Sequence, residues 1–468
     1  MAVSAEVRRV EREIDRWMTS HPYLRSTASG GLRALLLHHC EETANAMGTL
    51  RRALVTRNPG LLEVGLRRED TLRVGAFWAL KWVLRVAGNN GTKQPRRSAA
   101  AEFFEECGAY SVLCDGLAIA EQGGGGVVYS PSERLLTFYE GGERTGSDAT
   151  MIGYQAIANA TSLRTVLTSD ADQLTSEWTA GQYRRCVAAL AKDAARQARA
   201  TALARRGALD VAENLVVSVA PSMLADHSAV LAAMTVTESD ARDDRTFFML
   251  RDWMDTPLVK TDCGVLGVSG MLTSLAGGVG EEHMLRLAAM RDPQQYSLVS
   301  GKREERMTSR CLEVFRGTGW QRVDVPSSAA GDIDLYVKRG RVSVGLQLKS
   351  LLRPHAPTEV FRRNRDLVKG IDQVKRARAW LPSAAIGMVV TDGYRGDYAV
   401  WGRALDARVP IATLDDLSDV ARTPSSSMAL LKRRAGISGR VADPLAPRRC
   451  ALGAWTLEFR DEPPPDPD

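Results

Sequence analysis

Two acidic residues, an amide and a lysine lie within one short stretch of the chain and could together act on a phosphodiester bond. Asp332 and Asp334 flank the start of one run of alternating apolar residues, and Gln347 and Lys349 close the next. Carboxylate and amide oxygens are the hard ligands that Mg²⁺ prefers, and a lysine ammonium can stabilise developing charge on phosphate or help to deprotonate a water. The same residue types also occur on the wet faces of ordinary hairpins, so the surrounding pattern matters.

Alternating apolar residues predict a β-hairpin that would carry these side chains. The alternation runs from Ile333 to Val337 and again from Val342 to Leu348, with the period of two that is typical of half-buried strands. Arg339-Gly340 suits a two-residue turn because glycine adopts positive φ without strain. The apolar side chains then share one face of the hairpin, and the four polar side chains share the other.

The predicted turn also sets the register of the two strands. It places Asp334 opposite Gly345 and Asp332 opposite Gln347. A slip by one residue would turn one strand's apolar side chains toward water, so the pattern favours this register. Gly345 is then expected to leave room for a ligand beside Asp334.

This arrangement resembles the motif of the PD-(D/E)XK family of restriction-endonuclease-like nucleases. In that family an Asp on one strand is followed on the next strand by (D/E/Q)-x-K. Asp334 matches the Asp, and Gln347-Leu348-Lys349 matches the Q-x-K variant. The resemblance covers residues 300–425 and implies an α/β restriction-endonuclease-like C-terminal domain with an αβββαβ core. It also implies Mg²⁺ as cofactor and hydrolysis of DNA.

The resemblance assigns a role to each residue of the site. Asp334, Gln347 and a glutamate from the opening helix would hold Mg²⁺, and Lys349 would position or activate the attacking water. Glu305 is the expected helical ligand, with Glu304 as the second choice. Because Gln347 replaces an acidic ligand, it removes a charge, and metal binding is expected to be weaker than in the acidic variants.

The long helix predicted after the hairpin supplies candidate nucleic-acid-binding residues. Lys369, Gln373 and Arg376 recur at i, i+4 and i+7 and therefore share one helix face. The resemblance implies that they grip the nucleic-acid backbone near the scissile phosphate. Asp332, at the start of the hairpin, is either an acid outside the direct metal ligands or a residue that caps a turn.

The segments around the hairpin fit the order of elements in that core. Hydrophobic periodicity and short apolar runs predict two helices and three further strands. The predicted helices span 302–316 and 359–380, and the predicted strands span 321–325, 386–390 and 410–414.

Positive charge is concentrated in the same part of the chain. Residues 301–425 contain 22 Lys+Arg against 15 Asp+Glu, a net charge of +7, whereas the whole chain carries +6. The rest of the chain is therefore close to neutral. A polyanionic partner is expected, namely DNA with RNA not excluded, and its binding should weaken steeply with salt.

The remainder of the chain is predicted to be a mainly α-helical N-terminal region and a tail. The predicted segments are a helical domain over 1–95, an α+β segment with a hairpin over 96–170, a mainly helical region over 171–300, the nuclease-like domain over 301–425, and a partly disordered tail over 426–468. The helical region is expected to select substrate, or to mediate homo-oligomer or protein contacts. A signal-peptide core and a membrane-length apolar run are both absent, which predicts a cytoplasmic location.

Three functions are compatible with these patterns. The first is a Mg²⁺-dependent DNA endonuclease, a hydrolase of bacterial restriction or antiviral defence. The second is a catalytically inactive, nuclease-like nucleic-acid-binding component, and the third is a protein-interaction component whose hairpin face is simply solvated. Metal-dependent nicking separates the first from the second, and salt-sensitive DNA affinity separates both from the third.

Overall fold

The computed structural model describes most of the chain. The described residues are 3–26, 31–56, 59–86, 97–140, 168–204, 215–261, 264–276, 280–324, 333–352, 354, 356–381, 385–396, 398–439 and 448–460. Asp332 lies outside these ranges, so both interpretations of its role stay predictions.

The described residues form a mixed α/β structure with a helical N-terminal region. The helices are α1 (Ala5–Thr19), α2 (Pro22–Ser26), α3 (Gly31–Thr56), α4 (Pro59–Val86), α5 (Arg97–Glu121), α6 (Ala180–Ala204), α7 (Pro221–Asp226), α8 (Ser228–Met234), α9 (Glu238–Arg242), α10 (Asp244–Met249), α11 (Ser269–Ser274), α12 (Gly280–Arg291), α13 (Pro293–Phe315), α14 (Pro357–Ala377), α15 (Tyr398–Ala407), α16 (Leu414–Arg422) and α17 (Ser426–Gly439). The strands are β1 (Gly125–Ser130), β2 (Leu135–Glu140), β3 (Val216–Ser218), β4 (Thr235–Val236), β5 (Leu258–Thr261), β6 (Gly264–Val268), β7 (Gln321–Val323), β8 (Leu335–Arg339), β9 (Val342–Lys349), β10 (Ala385–Thr391), β11 (Ile411–Thr413), β12 (Arg448–Leu452) and β13 (Trp455–Arg460). Among the described helices, none combines the length and the apolar character that crossing a bilayer requires.

The last two strands pack against the N-terminal region. The sheet order is β1-β2-β13-β12, with β13 parallel to β2 and the predicted β1–β2 hairpin at one side. Leu452 and Leu457 are fully buried in the N-terminal core, and the Trp455 ring meets the Trp17 ring edge to face at 6.2 Å. The prediction of a tail over 426–468 is therefore wrong for 448–460. These residues are buried because β13 pairs with β2, which lies far away in the sequence. The composition of the tail gives no sign of that pairing.

The middle of the chain contains a small sheet that the helical prediction missed. Strands β3, β6, β5 and β4 are neighbours in that order, and their apolar side chains pack with α6 and α12. These strands have only two to five residues. Runs that short are too brief to show a period of two, which is why the prediction of a mainly helical region over 171–300 did not include them.

A five-stranded sheet carries the candidate site. The strand order is β11-β10-β9-β8-β7: β7, β8 and β9 are antiparallel neighbours, and β10 and β11 run parallel to β9. Helix α13 packs on one face of this sheet through Met307 and Cys311, and α14 packs on the other through Leu367 and Ile371. Both faces are covered, so β9 and β10 are the central, buried strands.

The central hairpin forms as predicted, but its turn and register differ. Arg339 pairs with Val342 and Leu335 pairs with Leu346, so the two-residue loop is Gly340-Arg341 rather than Arg339-Gly340. Gly340 has a φ of +58°, and this left-handed conformation places it first in the loop. The register shifts by two residues, which keeps the side chains within β8 and β9 on their predicted faces. Asp334 consequently lies beside Gln347, not opposite Gly345.

The two faces of the hairpin differ from the prediction at two positions. Ile333 packs in the α14-side core, whereas Leu335 and Val337 pack on the α13 side. A Cβ atom on Gly345 would lie 3.1 Å from Leu381 Cδ1 and 3.3 Å from Ile333 Cδ1. Gly345 therefore makes room for these two apolar side chains, and the expectation that a ligand occupies this space is wrong.

Buried ionic contacts fix the start of α14 against the rest of the protein. Arg286 of α12 donates from both terminal nitrogens to the Glu359 carboxylate, at 2.7 and 2.6 Å. Thr358 Oγ1 donates to Asp115 Oδ1 of α5 at 3.0 Å. The N-terminal and middle regions thus both contact the helix that covers the candidate site.

Candidate functional site

The candidate site lies at the edge of the sheet where β8 begins and β9 ends. Because the two strands are antiparallel, Asp334, directly before β8, lies next to Gln347 and Lys349 near the end of β9. All three side chains are on the face that α14 covers. The structure therefore brings together three of the four predicted catalytic residues.

Asp334 and Gln347 are joined by a direct hydrogen bond. Gln347 Nε2 donates to Asp334 Oδ2 at 2.7 Å, and the Leu348 amide donates to the same oxygen at 2.7 Å. A carboxylate only accepts, so the NH₂ of the amide must face Asp334 and its oxygen must face away. Gln347 Oε1 is then buried, and no donor in the described part of the chain bonds to it.

A second buried oxygen without a hydrogen-bond partner among the described residues lies on the neighbouring strand. Thr391 pairs with Lys349 across β9 and β10, and Thr391 Oγ1 also lacks a hydrogen-bond partner among the described residues. Gln347 and Thr391 thus place two buried oxygens without a described hydrogen-bond partner on neighbouring strands. The sequence pattern gave no sign of Thr391.

Lys349 is held by α14. Its Nζ donates to Gln373 Oε1 at 3.0 Å, and its side chain passes close to Gly370. Burial lowers the pKa of Lys349, as does the nearby charge of Lys369, whereas the carboxylates of Asp334, Asp366 and Glu304 act in the opposite direction. The lysine is therefore easier to deprotonate than one in water.

Asp334 is exposed to solvent on one side, but its neighbours desolvate it enough to raise its pKa. The Leu348 amide and the charge of Lys349 act against this rise. Each residue of the Asp334–Lys349 pair thus stabilises the charged form of the other. Burial therefore shifts the pKa values of both residues, and their mutual charge interaction opposes each shift.

The two helical glutamates occupy different sides of α13. Arg303, Met307 and Cys311 form its buried stripe. Glu304 flanks that stripe at about 60° from Met307, whereas Glu305 lies about 160° away at about 100° per residue. Both are exposed, but Glu304 is among the charges that act on Lys349. The first choice for the helical ligand, Glu305, points away from the core, and the second choice, Glu304, fits the geometry better.

The predicted nucleic-acid-binding residues share one face of α14 but differ in their exposure to solvent. Lys369 and Arg376 are exposed, as binding to a phosphate backbone requires. Gln373 is buried, and its side-chain oxygen bonds to Lys349. Gln373 is therefore placed to orient the lysine, and the expectation that it grips the backbone is wrong.

A buried ion pair at the ends of β9 and β10, next to the candidate site, was not predicted. Arg303 Nη2 donates to Asp392 Oδ2 at 2.7 Å, and both side chains are buried. Asp392 follows β10 and also accepts from Ser350 Oγ and the Leu351 amide, each at 2.8 Å. The pair ties α13 to the ends of β9 and β10. The sequence carries one signal for it, an arginine in the apolar stripe of α13.

The donor set fits a weakly held divalent cation. Asp334 offers a carboxylate oxygen, whereas the Gln347 amide oxygen faces away from it and would join the same cation only if the amide rotated and gave up its bond to Asp334. No cluster of three or more His, Cys, Asp or Glu suited to a metal occurs among the described residues. Mg²⁺ is commonly bound through one or two carboxylates with several waters, so a small protein donor set suits it better than it suits Zn²⁺ or Ca²⁺.

Gly370 offers a test of how strictly Lys349 is positioned. A Cβ atom on Gly370 would lie 3.1 Å from Lys349 Cε and 3.4 Å from Val389 Cγ2. We expect Gly370→Ala to displace the lysine and lower the activity of the site about tenfold. The same change should maintain or raise the melting temperature, because alanine stabilises a helix interior by about 0.5–1 kcal/mol over glycine.

Gly402→Ala is the matched control for that variant. Gly402 lies within α15, and nothing lies within 4 Å of its added Cβ. It should stabilise the protein equally and leave activity unchanged. Equal activities of the two alanine variants in parallel assays would show that the position of Lys349 is not critical.

Comparisons with known proteins identify no relative: no family model matches the chain, and no curated protein or solved structure matches it significantly.

Proposed function

We propose that the protein is a metal-dependent phosphodiesterase that cleaves DNA, acting in the cytoplasm of a bacterium in restriction or antiviral defence. The observation that carries the proposal is the Asp334–Gln347–Lys349 cluster at one end of the β8–β9 hairpin. In it the exposed Asp334 carboxylate accepts from the Gln347 amide, whose own buried oxygen has no donor among the described residues. Such an arrangement suits a site that binds a cation and a phosphate together.

The order of elements around the cluster supports the same proposal. From α13 to β10 the chain forms a helix, three antiparallel strands, a helix and a strand parallel to the third. This is the αβββαβ order that the resemblance to PD-(D/E)XK nucleases implies. Asp334 directly before the second strand, and Gln347 and Lys349 on the third, support the resemblance.

The proposed reaction splits a P–O ester bond by addition of one water. Asp334 and Gln347, with Glu304 alongside, would hold Mg²⁺, which supplies charge neutralisation at the phosphate and a more acidic water. Lys349 takes the proton of the attacking water, and Gln373 keeps the lysine directed at it. The products are a phosphate monoester and a free hydroxyl.

Nicking of supercoiled plasmid tests this function directly. The wild-type protein should convert supercoiled to open-circular DNA with Mg²⁺ and should stop when EDTA is added. Lys349→Ala should be inactive under the same conditions. A wild-type protein that leaves plasmid, linear duplex and single strands intact at every Mg²⁺ or Mn²⁺ concentration would refute the proposal.

One observation favours a second function, that of a nucleic-acid-binding component without catalysis. Gln347 occupies a position where an acid would strengthen metal binding, and no three metal-ligating side chains cluster among the described residues. That reading predicts salt-sensitive DNA affinity that Mg²⁺ does not alter and that persists in Lys349→Ala. The nicking assay separates the two functions.

The charges around Lys349 predict opposite shifts of the pH profile of cleavage. A lysine that accepts a proton must be neutral, so the rate should rise with pH through its lowered pKa. Lys369 lowers that pKa and Glu304 raises it. Lys369→Gln should therefore move the rising limb to higher pH, and Glu304→Gln should move it to lower pH.

Single-turnover rates measured from pH 6 to 10 would record these shifts. Glu313→Gln serves as control, because Glu313 is exposed on the last turns of the same helix and pairs with Arg310. Shifts of the same sign in both variants would exclude Lys349 as the titrating group.

A further inference from the structure

The exposed side of α14 carries a row of positive side chains that runs past the candidate site. We call Arg362, Arg365, Lys369 and Arg376 the cationic stripe. Successive members are three, four and seven residues apart, so they lie on one side of the helix. All four are exposed. Trp380 follows four residues later on the same side and exposes 60% of its surface.

Neighbouring contacts leave the stripe with a net positive charge. The acidic residues closest to it in sequence are each paired with an arginine outside it: Asp366 with Arg363 at 3.6 Å, and Asp372 with Arg403 at 3.2 Å. The four exposed cations make this side of the helix complementary to a polyanion.

Hydrogen bonding to the last turn of α14 holds the backbone of Trp380 in place. Its amide bonds to the Ala377 carbonyl at 2.9 Å, which continues the last turn of α14. The next residue, Leu381, is buried against Gly345. The indole is consequently an anchored, solvent-facing ring. An exposed large aromatic is costly in water, and its flat face is a stacking platform for a base.

The candidate site lies partway along this row. Lys349 contacts α14 between Gly370 and Gln373. From Arg362 to Trp380 the distance is about 27 Å at about 1.5 Å per residue, and Trp380 lies about 10 Å beyond Gln373. The indole therefore lies within a few nucleotides of the candidate site along a strand that follows the helix.

We propose that the cationic stripe and Trp380 form a binding surface for an unpaired strand, which we call the track. The substrate is then single-stranded or branched DNA that is cut next to the unpaired segment. The proposal rests on the proposed function for the identity of the cleaved bond. In a continuous duplex each base is stacked on its neighbours and paired, and no base face is free for the indole. An unpaired base near the cut can stack on Trp380 while the stripe binds the phosphates.

Binding by the full-length Lys349→Ala protein, which should not cleave, tests the track. Fluorescence anisotropy would compare a labelled single strand, a forked duplex and a blunt duplex of the same sequence. We expect the single strand and the fork to bind more tightly than the blunt duplex. Adding Trp380→Ala should weaken binding of both about tenfold and change blunt-duplex binding less than twofold. Trp380→Phe should restore most of the loss, and Leu405→Ala, which removes another exposed apolar side chain, should have no effect.

The stripe is tested by salt dependence in the same background. Arg365→Ala combined with Lys369→Ala should reduce the slope of log affinity against log salt by about 1.4, since each lost contact to a single strand contributes about 0.7. Arg185→Ala combined with Lys192→Ala removes two exposed cations of α6 and should leave the slope unchanged.

The outcomes separate this proposal from the proposed function. The track is overturned if single strand and blunt duplex bind with equal affinity and Trp380→Ala changes neither affinity. This holds even if the wild-type protein nicks duplex DNA. Absence of affinity for any nucleic acid at low salt also overturns it and leaves the face to a protein partner. Tight single-strand binding that depends on Trp380, with no cleavage by the wild-type protein, supports the track as a binding surface and overturns the nuclease function.

Discussion

Lys349→Met is expected to lower the Mg²⁺-dependent cleavage rate at least about 1,000-fold while the protein stays folded. A positioned general base commonly contributes about 10²–10⁴-fold to a rate, and a factor of about 1,000 corresponds to about 4 kcal/mol of transition-state stabilisation. Stability should change little, because the charge that is removed was partly desolvated, and this offsets the lost bond to Gln373. Single-turnover cleavage and thermal melting would measure the two effects.

Lys338→Met provides the control for this experiment. Lys338 is an exposed lysine of the adjacent strand, toward the turn of the same hairpin. Its replacement should leave the rate within about twofold, the scale of a surface charge. If Lys349→Met retained a tenth or more of the wild-type rate, Lys349 could not be the group that handles the proton.

Arg303→Met is expected to reduce the free energy of unfolding by about 3–5 kcal/mol, since it leaves the Asp392 carboxylate buried without its partner. Burial raises the pKa of Asp392, whereas the charge of Arg303 and the bonds from Ser350 and Leu351 act against that rise. Without the guanidinium, the carboxylate must either stay charged at high cost or take up a proton. Urea denaturation would give the size of the effect, and hydrogen exchange of the β9 and β10 amides would localise it.

Two variants make this stability prediction specific. Arg310→Met removes an exposed arginine of the same helix, paired with Glu313, and should cost less than about 1 kcal/mol. Arg303→Met combined with Asp392→Leu removes both charges and should recover most of the lost stability, because buried ion pairs are often replaced by apolar pairs at little cost. Equal effects of Arg303→Met and Arg310→Met would show that the buried pair is not a support of the sheet.

The parts of the fold that depend on local pattern were predictable from the sequence. Alternation in β8 and β9 and the amphipathic period of α14 gave their positions within a few residues. The turn of the hairpin was displaced by one residue, because a glycine next to two arginines fits either position of a two-residue loop. The shift of the register by two residues preserved the faces, so the grouping of Asp334, Gln347 and Lys349 survived the error.

The parts that depend on distant contacts were not predictable. The pairing of β13 with β2 joins residues more than 300 positions apart, and no local pattern encodes such a partner. The burial of Gln373 was not predictable either. A polar side chain in an amphipathic helix is expected to face solvent, and only the folded structure shows its bond to Lys349. Gly370, a glycine inside a helix, was a usable signal of close packing that the sequence reading did not exploit.

Calorimetric titration of Mn²⁺ or Mg²⁺ into the wild-type protein, Asp334→Asn and Gln347→Glu is the most direct test of the central claim that Asp334 and Gln347 hold a divalent cation. The account predicts saturable binding to the wild-type protein, at least tenfold weaker binding to Asp334→Asn, and tighter binding to Gln347→Glu, because a second carboxylate faces the metal. Three indistinguishable titrations, or no saturable binding by any of the proteins, would contradict it.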